Sequence, residues 1–367
     1  MRWKKQLHSL APYQPGRSIE SVKKEYGLKT IVKLASNENP FGCSQNVEAA
    51  IKKASIDFNY YPDGHAGELR STLSQMLEVA PDQLIFGNGS DEIIRIISRA
   101  LLYPGANTVM ASPTFPQYRH NAVLEGADVR EIPLVNGGHD LDAMLKAIDG
   151  QTNVVWICSP NNPTGVHIPD GFLTAFLQKV PEDVLVVIDE AYCEYVTAAD
   201  FHDSLALVNQ FSNVIALRTF SKIYGLASLR VGYGIANPAI IRMLEPAREP
   251  FNTNTIAHIA AKAALADLEF VERAKRLNRK GMEMFYEFCR KWNLPFYPSQ
   301  GNFILINFKQ EANKVFQSML ERGFIVRSGA LLGFPDSIRV TVGTEEQVAA
   351  IINEFEAFLV NECKAIV

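Results

Sequence analysis

Hydrophobic positions in this chain fall into short runs separated by longer segments with one polar face. From residue 83 onward, seven runs are rich in β-branched and aromatic residues: QLIFGN, NTVMAS, ADVREIPL, NVVWICS, VLVVID, NVIALRTF and RVGYGIA. Several are apolar on both faces, as strands buried inside a parallel sheet must be, and the intervening segments are long enough for helical crossovers. The pattern predicts an α/β large domain over residues 42–260, with a mostly parallel seven-stranded sheet flanked by helices. A long helical stretch follows, NTIAHIAAKAALADLEFVERAKRLNRKGMEMFYEFCRKW, and then three more strand candidates, NFILINF, FIVRS and SIRVTVG. These predict a smaller α+β domain over 261–367, to which an N-terminal arm, 1–41, adds a part. Neither internal repeats nor low-complexity linkers interrupt the chain.

Composition narrows the partners. The 367 residues, 47% hydrophobic and 21% charged, suffice for a large core. The net charge of -4 comes from 36 basic and 40 acidic residues with no long single-sign block, so nothing suggests nucleic acid, and small molecules are the expected partners. The start, MRWKKQLHSLAPYQPGRSIE, has basic residues with no continuous apolar segment behind them, and no run approaches a membrane span, so neither a secretory signal nor a membrane is expected. Five cysteines, odd in number and without a CxxC pair, argue against a disulfide framework and a zinc site, and a reducing cytoplasm is expected. Asn88-Gly89-Ser90 is formally a glycosylation sequon, read here as accidental.

Common hydrolase, metalloprotease and nucleotide-binding signatures are absent: there is no GxSxG, HExxH or Walker lysine loop. GNGSDE opens like a dinucleotide fingerprint but lacks the third glycine, and the next strand, NTVMAS, has no acidic residue to hold a ribose. By itself GNGSDE is a glycine turn with Ser90 or Asp91 as N-cap; in company, its amides at Gly89, Ser90 and Asp91 could face an anion at a helix N-terminus. The company is CSPNNPTG, IDEAY and TFSKIYG, each at the end of a predicted strand, where an open parallel sheet gathers its ligands. An anion cradle, an amide-rich turn, a carboxylate near Tyr192 and a lysine suit pyridoxal phosphate, which has a phosphate, a ring nitrogen, a phenolic oxygen and an aldehyde.

LAPYQPG, KLASNENPFG, YPDG, GNGSDE, SPTFPQY, CSPNNPTG, IDEAY, RTFSKIYGLASLRVGYGIA, FIVRSG and IRVTVGT, in that order over essentially the whole chain, resemble the fold-type-I pyridoxal-phosphate aminotransferases, and within them the histidinol-phosphate aminotransferases. The resemblance implies that Lys222 condenses with the cofactor aldehyde and, once displaced, moves a proton at the substrate α-carbon. It implies that Asp189 pairs with the ring nitrogen, that Tyr192 and Asn162 hold the phenolic oxygen, and that Phe115 stacks on the ring. Ser221, Arg230 and the amides of Gly89, Ser90 and Asp91 would bind the phosphate. Tyr61 would reach it from a neighbouring subunit, which implies a homodimer with shared sites. Arg327 and Arg339, on neighbouring strands, would take the substrate's phosphate or carboxylate, with Asn162 and Tyr13 closing the same end. Alternation along RVT sends Arg339 and Thr341 to one face. Ile223 and Ser228 depart from the small residues common at those positions without touching the chemistry.

The resemblance implies transamination between histidinol phosphate and the pair glutamate and 2-oxoglutarate, with aromatic amino acids as candidate secondary donors. Two other classes stay open: a pyridoxal-phosphate lyase or decarboxylase acting on threonine phosphate, and a cofactor-sensing regulator. The last needs an appended DNA-binding domain, for which the chain has no room before Tyr13.

Overall fold

The computed structural model describes residues 1–8, 10–12 and 16–365, the last three by backbone alone. Seven strands build the main sheet: β2 (Leu84–Gly87), β3 (Asn107–Ser112), β4 (Asp128–Pro133), β5 (Thr152–Cys158), β6 (Leu185–Asp189), β7 (Val214–Thr219) and β8 (Gly232–Ala236), with β1 (Val32–Lys33) preceding them elsewhere. Their order is β2-β8-β7-β6-β5-β3-β4. All seven predicted runs are strands of this sheet, and β3 to β7 run parallel to their neighbours among themselves. The central strands β5 and β6 are buried on both faces, which is why their sequences read as unbroken apolar runs. Edge strand β4 has no fully buried residue and carries Asp128, Arg130 and Glu131, charges that discourage further pairing.

Strand β8 departs from the parallel pattern, since it pairs antiparallel with both β7 and β2. The loop between β7 and β8 forms only one short 3₁₀ turn, Ala227–Leu229, and no crossover helix that would carry the chain back to a parallel start. The reversal brings the amino end of β8 to the edge where the other strands have their carboxyl ends.

The smaller body is built on β9 (Phe303–Asn307), β10 (Phe324–Ile325), β11 (Arg327–Ser328) and β12 (Ser337–Thr341). The segment FIVRS, predicted as one strand, serves two sheets: β10 pairs with β1, and β11 pairs antiparallel with β12. The predicted helical stretch is also divided, into Thr255–Leu265 and Leu268–Lys291, because Asp267 turns its carboxylate back to cap the Phe270 amide and starts a new helix. Along the second helix Val271 and Ala274 join the large core, while Met282, Phe285 and Phe288 join the small one. Among the described residues no helix is long and apolar enough to cross a membrane, and no group of three or more metal-binding side chains forms.

Candidate active site

The turn between β7 and β8 carries Lys222. Gly225 in that turn has φ +70°, and a Cβ there would lie 1.9 Å from the Gly42 carbonyl oxygen, so the turn is pressed against the backbone of residues 42 and 43 in a way that only glycine permits. Thus anchored, Lys222 Nζ lies 3.4 Å from the Ser36 carbonyl and 5.6 Å from the centre of the Tyr192 ring. Burial, with the neighbouring charge of Arg339 second, lowers its pKa from 10.5 to about 8. A useful fraction of this amine is therefore uncharged near neutral pH.

An anion cup lies beside it. The helix Ser90–Leu101 begins with Gly89 at its N-cap, at φ +70° and without a side-chain cap, rather than with Ser90 or Asp91 capping. Its first amides are thus left for another partner. Arg230 closes the cup. Its Nη1 donates to Ser221 Oγ at 3.0 Å and its Nη2 lies 3.4 Å from Asp91 Oδ2, while a Cβ on Gly89 would come within 2.6 Å of that Nη2. The Asn88 amide group is engaged by Glu92 and the Asn252 carbonyl, consistent with the sequon having no glycan role.

The floor is the carboxyl end of β6. Asp189 is buried, and burial raises its pKa to about 6 against the hydrogen bond that Tyr118 donates to Oδ2 at 2.6 Å. Tyr118 is stacked on Trp156, centroids 4.9 Å apart, and Trp156 Nε1 donates to Thr108 Oγ1, so the phenol is fixed from behind. The next residue, Glu190, is fully buried and accepts from Arg218, His202 and Ser204; burial would raise its pKa, but these partners bring it down to about 2. That buried network anchors the turn between Asp189 and Tyr192. Phe115, at the start of helix Pro116–Glu125, lines the cleft edge-on to Tyr118.

The opposite wall belongs to the smaller body. Arg327 and Arg339 are directly paired across β11 and β12, which sets two guanidinium side chains on one face. Arg339 is buried, donating to Asn162 Oδ1 at 2.6 Å and to the Ala35 carbonyl at 2.7 Å. Asn162 thus turns its carbonyl toward Arg339, which leaves the amide NH₂ as its other end. Tyr192 receives a hydrogen bond from Asn37 Nδ2 at 2.9 Å.

Ser90, Asp91, Phe115, Asn162, Asp189, Tyr192, Ser221, Lys222, Arg230, Arg327 and Arg339 line one cleft. Gly89 sits just behind it, against Arg230. Tyr61 does not line it: its side chain is exposed and stacked on Phe251. Tyr13 lies outside the described residues. Two residues escaped the sequence reading, Asn37 and Tyr118, although each sits inside a quoted motif, KLASNENPFG and SPTFPQY. Nothing local distinguishes them, because their partners are far away in the chain.

The cleft has a cationic cup at one end, two arginines at the other, and an amine and a carboxyl between them. It can hold two anionic groups apart while a nucleophilic amine and a buried carboxyl face what lies between. Residues 29–355 match the family Aminotransferase class I and II. The histidinol-phosphate aminotransferase of Geobacillus sp. (strain WCH70) is 59% identical over 359 residues, 98% of this chain and 98% of that protein. Its counterpart from Bacillus subtilis (strain 168) is 57% identical over 353 residues, 96% of this chain and 98% of that one. Among solved structures, histidinol-phosphate aminotransferase from Sinorhizobium meliloti in complex with pyridoxal-5'-phosphate is similar with a TM-score of 0.87 at 26% identity, covering 97% of this chain and 98% of that chain.

Proposed function

The chain belongs to the class I and II aminotransferase family, and on that premise we propose that it transfers the amino group of histidinol phosphate to 2-oxoglutarate, forming glutamate, with pyridoxal phosphate as cofactor. The observation that carries this is the pair of separate cationic ends in one cleft, with Lys222 and Asp189 between them. The donor set fits the cofactor. The amides at Gly89, Ser90 and Asp91, with Ser221 and Arg230, would hold its phosphate, Asp189 its ring nitrogen, Tyr192 and Asn162 its phenolic oxygen, Phe115 its ring face, and Lys222 its aldehyde. Bound there, the cofactor supplies an electron sink for charge developing at the substrate α-carbon.

Everything else falls to the chain. Lys222 Nζ, uncharged above about pH 8, takes the proton from the α-carbon and returns one. A cationic ring nitrogen opposite Asp189 would reverse the burial effect and keep the carboxylate ionised. Arg327 and Arg339 would hold the histidinol phosphate's phosphate, and Arg339 then the carboxylate of glutamate through bidentate bonds. Mixing the purified protein with histidinol phosphate and 2-oxoglutarate should form glutamate without carbon dioxide, and borohydride should fix the cofactor on Lys222. Carbon dioxide release from threonine phosphate, or an adduct on a different lysine, would overturn this.

We also propose a homodimer with shared sites. Tyr61 and Phe251 form an exposed aromatic ledge, with ring centroids 4.7 Å apart, outside the cleft of their own chain. Mixed dimers of Lys222→Ala and Tyr61→Ala chains should recover activity in one of their two sites. Verified hybrids with no recovery would mean that Tyr61 does not serve a neighbour. The four described cysteines are free thiols, which accords with a cytoplasmic home; fractionation of the native host checks it.

A further inference from the structure

Asn37 is 1% exposed yet holds φ +57°, a left-handed backbone conformation that a side chain disfavours. Hydrogen bonds from the smaller body hold it there. Its N–H donates to Thr341 Oγ1 at 2.9 Å, and its carbonyl accepts from Asn302 Nδ2 at 3.0 Å. The Thr341 hydroxyl donates to Asn37 Oδ1 at 3.1 Å, and Asn37 Nδ2 donates to the Tyr192 hydroxyl oxygen at 2.9 Å.

In the observed orientation Thr341 Oγ1 accepts from the Asn37 N–H and donates its own proton to Oδ1, which sets the amide carbonyl toward Thr341 and the NH₂ toward Tyr192. An NH₂ group can only donate. Tyr192 therefore accepts at that position and must direct its own proton elsewhere, and its ring lines the cleft. Burial raises the Tyr192 pKa, which keeps that proton in place. We propose that Asn37 is a positioning residue that aims the Tyr192 hydroxyl proton into the cleft as a donor to the cofactor's phenolic oxygen, with Thr341 of the smaller body setting Asn37 in turn. The inference rests on the pyridoxal-phosphate reading. It gives β12 two tasks, because Arg339, two residues before Thr341, lines the anion end of the same cleft.

The test titrates the visible absorption of the cofactor-loaded parent, Asn37→Gly, Asn37→Asp and Thr341→Val proteins. Glycine accepts the left-handed backbone without strain and deletes only the amide. Losing a hydrogen bond to the phenolic oxygen should raise the pH of the spectral transition by about one unit in Asn37→Gly. Asn37→Asp should shift it at least as far, because a carboxylate accepts the tyrosine proton and turns it away from the cleft. Thr341→Val, which leaves the amide in place but unoriented, should shift it less. Transitions at the parent's pH in both the glycine and aspartate variants would overturn the proposal, as would a loss of thermal stability in the cofactor-free variants with no spectral shift, which marks a structural clasp alone. A parent that shows no spectral transition, or no borohydride adduct on Lys222, would instead remove the cofactor reading itself.

Discussion

The two sides of the cleft are held in different ways. On the large-domain side, Asp189 and Lys222 sit at the ends of adjacent parallel strands, and the register of β5, β6 and β7 fixes their spacing through backbone bonds. On the other side, Arg339 and Asn37 reach the large domain through side chains alone, to Asn162 and to Tyr192. A side fixed by sheet register is rigid by construction. Contacts made through side chains can be retuned by single substitutions, and that is where differences of substrate are expected to lie.

The largest effects that would break this contrast lie with the two arginines. Arg339→Ala should lower kcat/KM for histidinol phosphate and for glutamate alike, by about 2–4 kcal/mol, since a desolvated anion loses a paired charge. Arg327→Ala should do so for histidinol phosphate and much less for glutamate. Phenylalanine is the control donor: equal losses with phenylalanine and histidinol phosphate in Arg327→Ala would show that Arg327 does not select phosphate. Arg339→Ala also strands Asn162 Oδ1 and the Ala35 carbonyl, so thermal stability must be measured beside the kinetics.

The same contrast explains what was legible in the sequence. The seven strands and the motifs at their ends could be read because each signal is local: an apolar run, then a glycine, carboxylate or lysine within a few residues. Reversed β8 was harder, since an apolar run does not record its direction, and the splitting of FIVRS between two sheets leaves no local mark. Asn37 meets Thr341 across 304 positions and Tyr192 across 155, and no spacing rule connects residues so far apart. Tyr118 likewise looks like an ordinary core aromatic until its hydroxyl is seen on Asp189, 71 residues away.

Asp189 offers a smaller test, confined to the register-held side. In the cofactor-free protein burial lifts its pKa from 3.8 to about 6. A carboxyl raised in the folded state favours folding at low pH and loses that contribution as pH rises through about 6. At about pH 8, therefore, the buried carboxylate is a net cost on the order of 1–3 kcal/mol. Asp189→Asn should make the cofactor-free protein more stable than the parent at that pH and nearly equal to it below about pH 4. The same variant should hold pyridoxal phosphate less firmly. A cofactor-free variant that is less stable than the parent at high pH would mean that the Tyr118 bond, not the charge, dominates at this position.

The smallest expected effect joins the two sides. With a pKa of about 8, Lys222 should capture pyridoxal phosphate about tenfold faster at about pH 9 than at about pH 7, levelling off above, as its uncharged fraction saturates. An ordinary lysine would still be gaining reactivity there, because its free amine is scarce until about pH 10. Lys222→Arg, which has no condensing amine, should show no capture and serves as the baseline. Part of the depression comes from Arg339 across the cleft, so Arg339→Ala should move the midpoint upward while the plateau rate stays near the parent's. A midpoint unchanged in Arg339→Ala would assign the whole depression to burial, and the two sides of the cleft would then be electrostatically independent despite sharing a ligand.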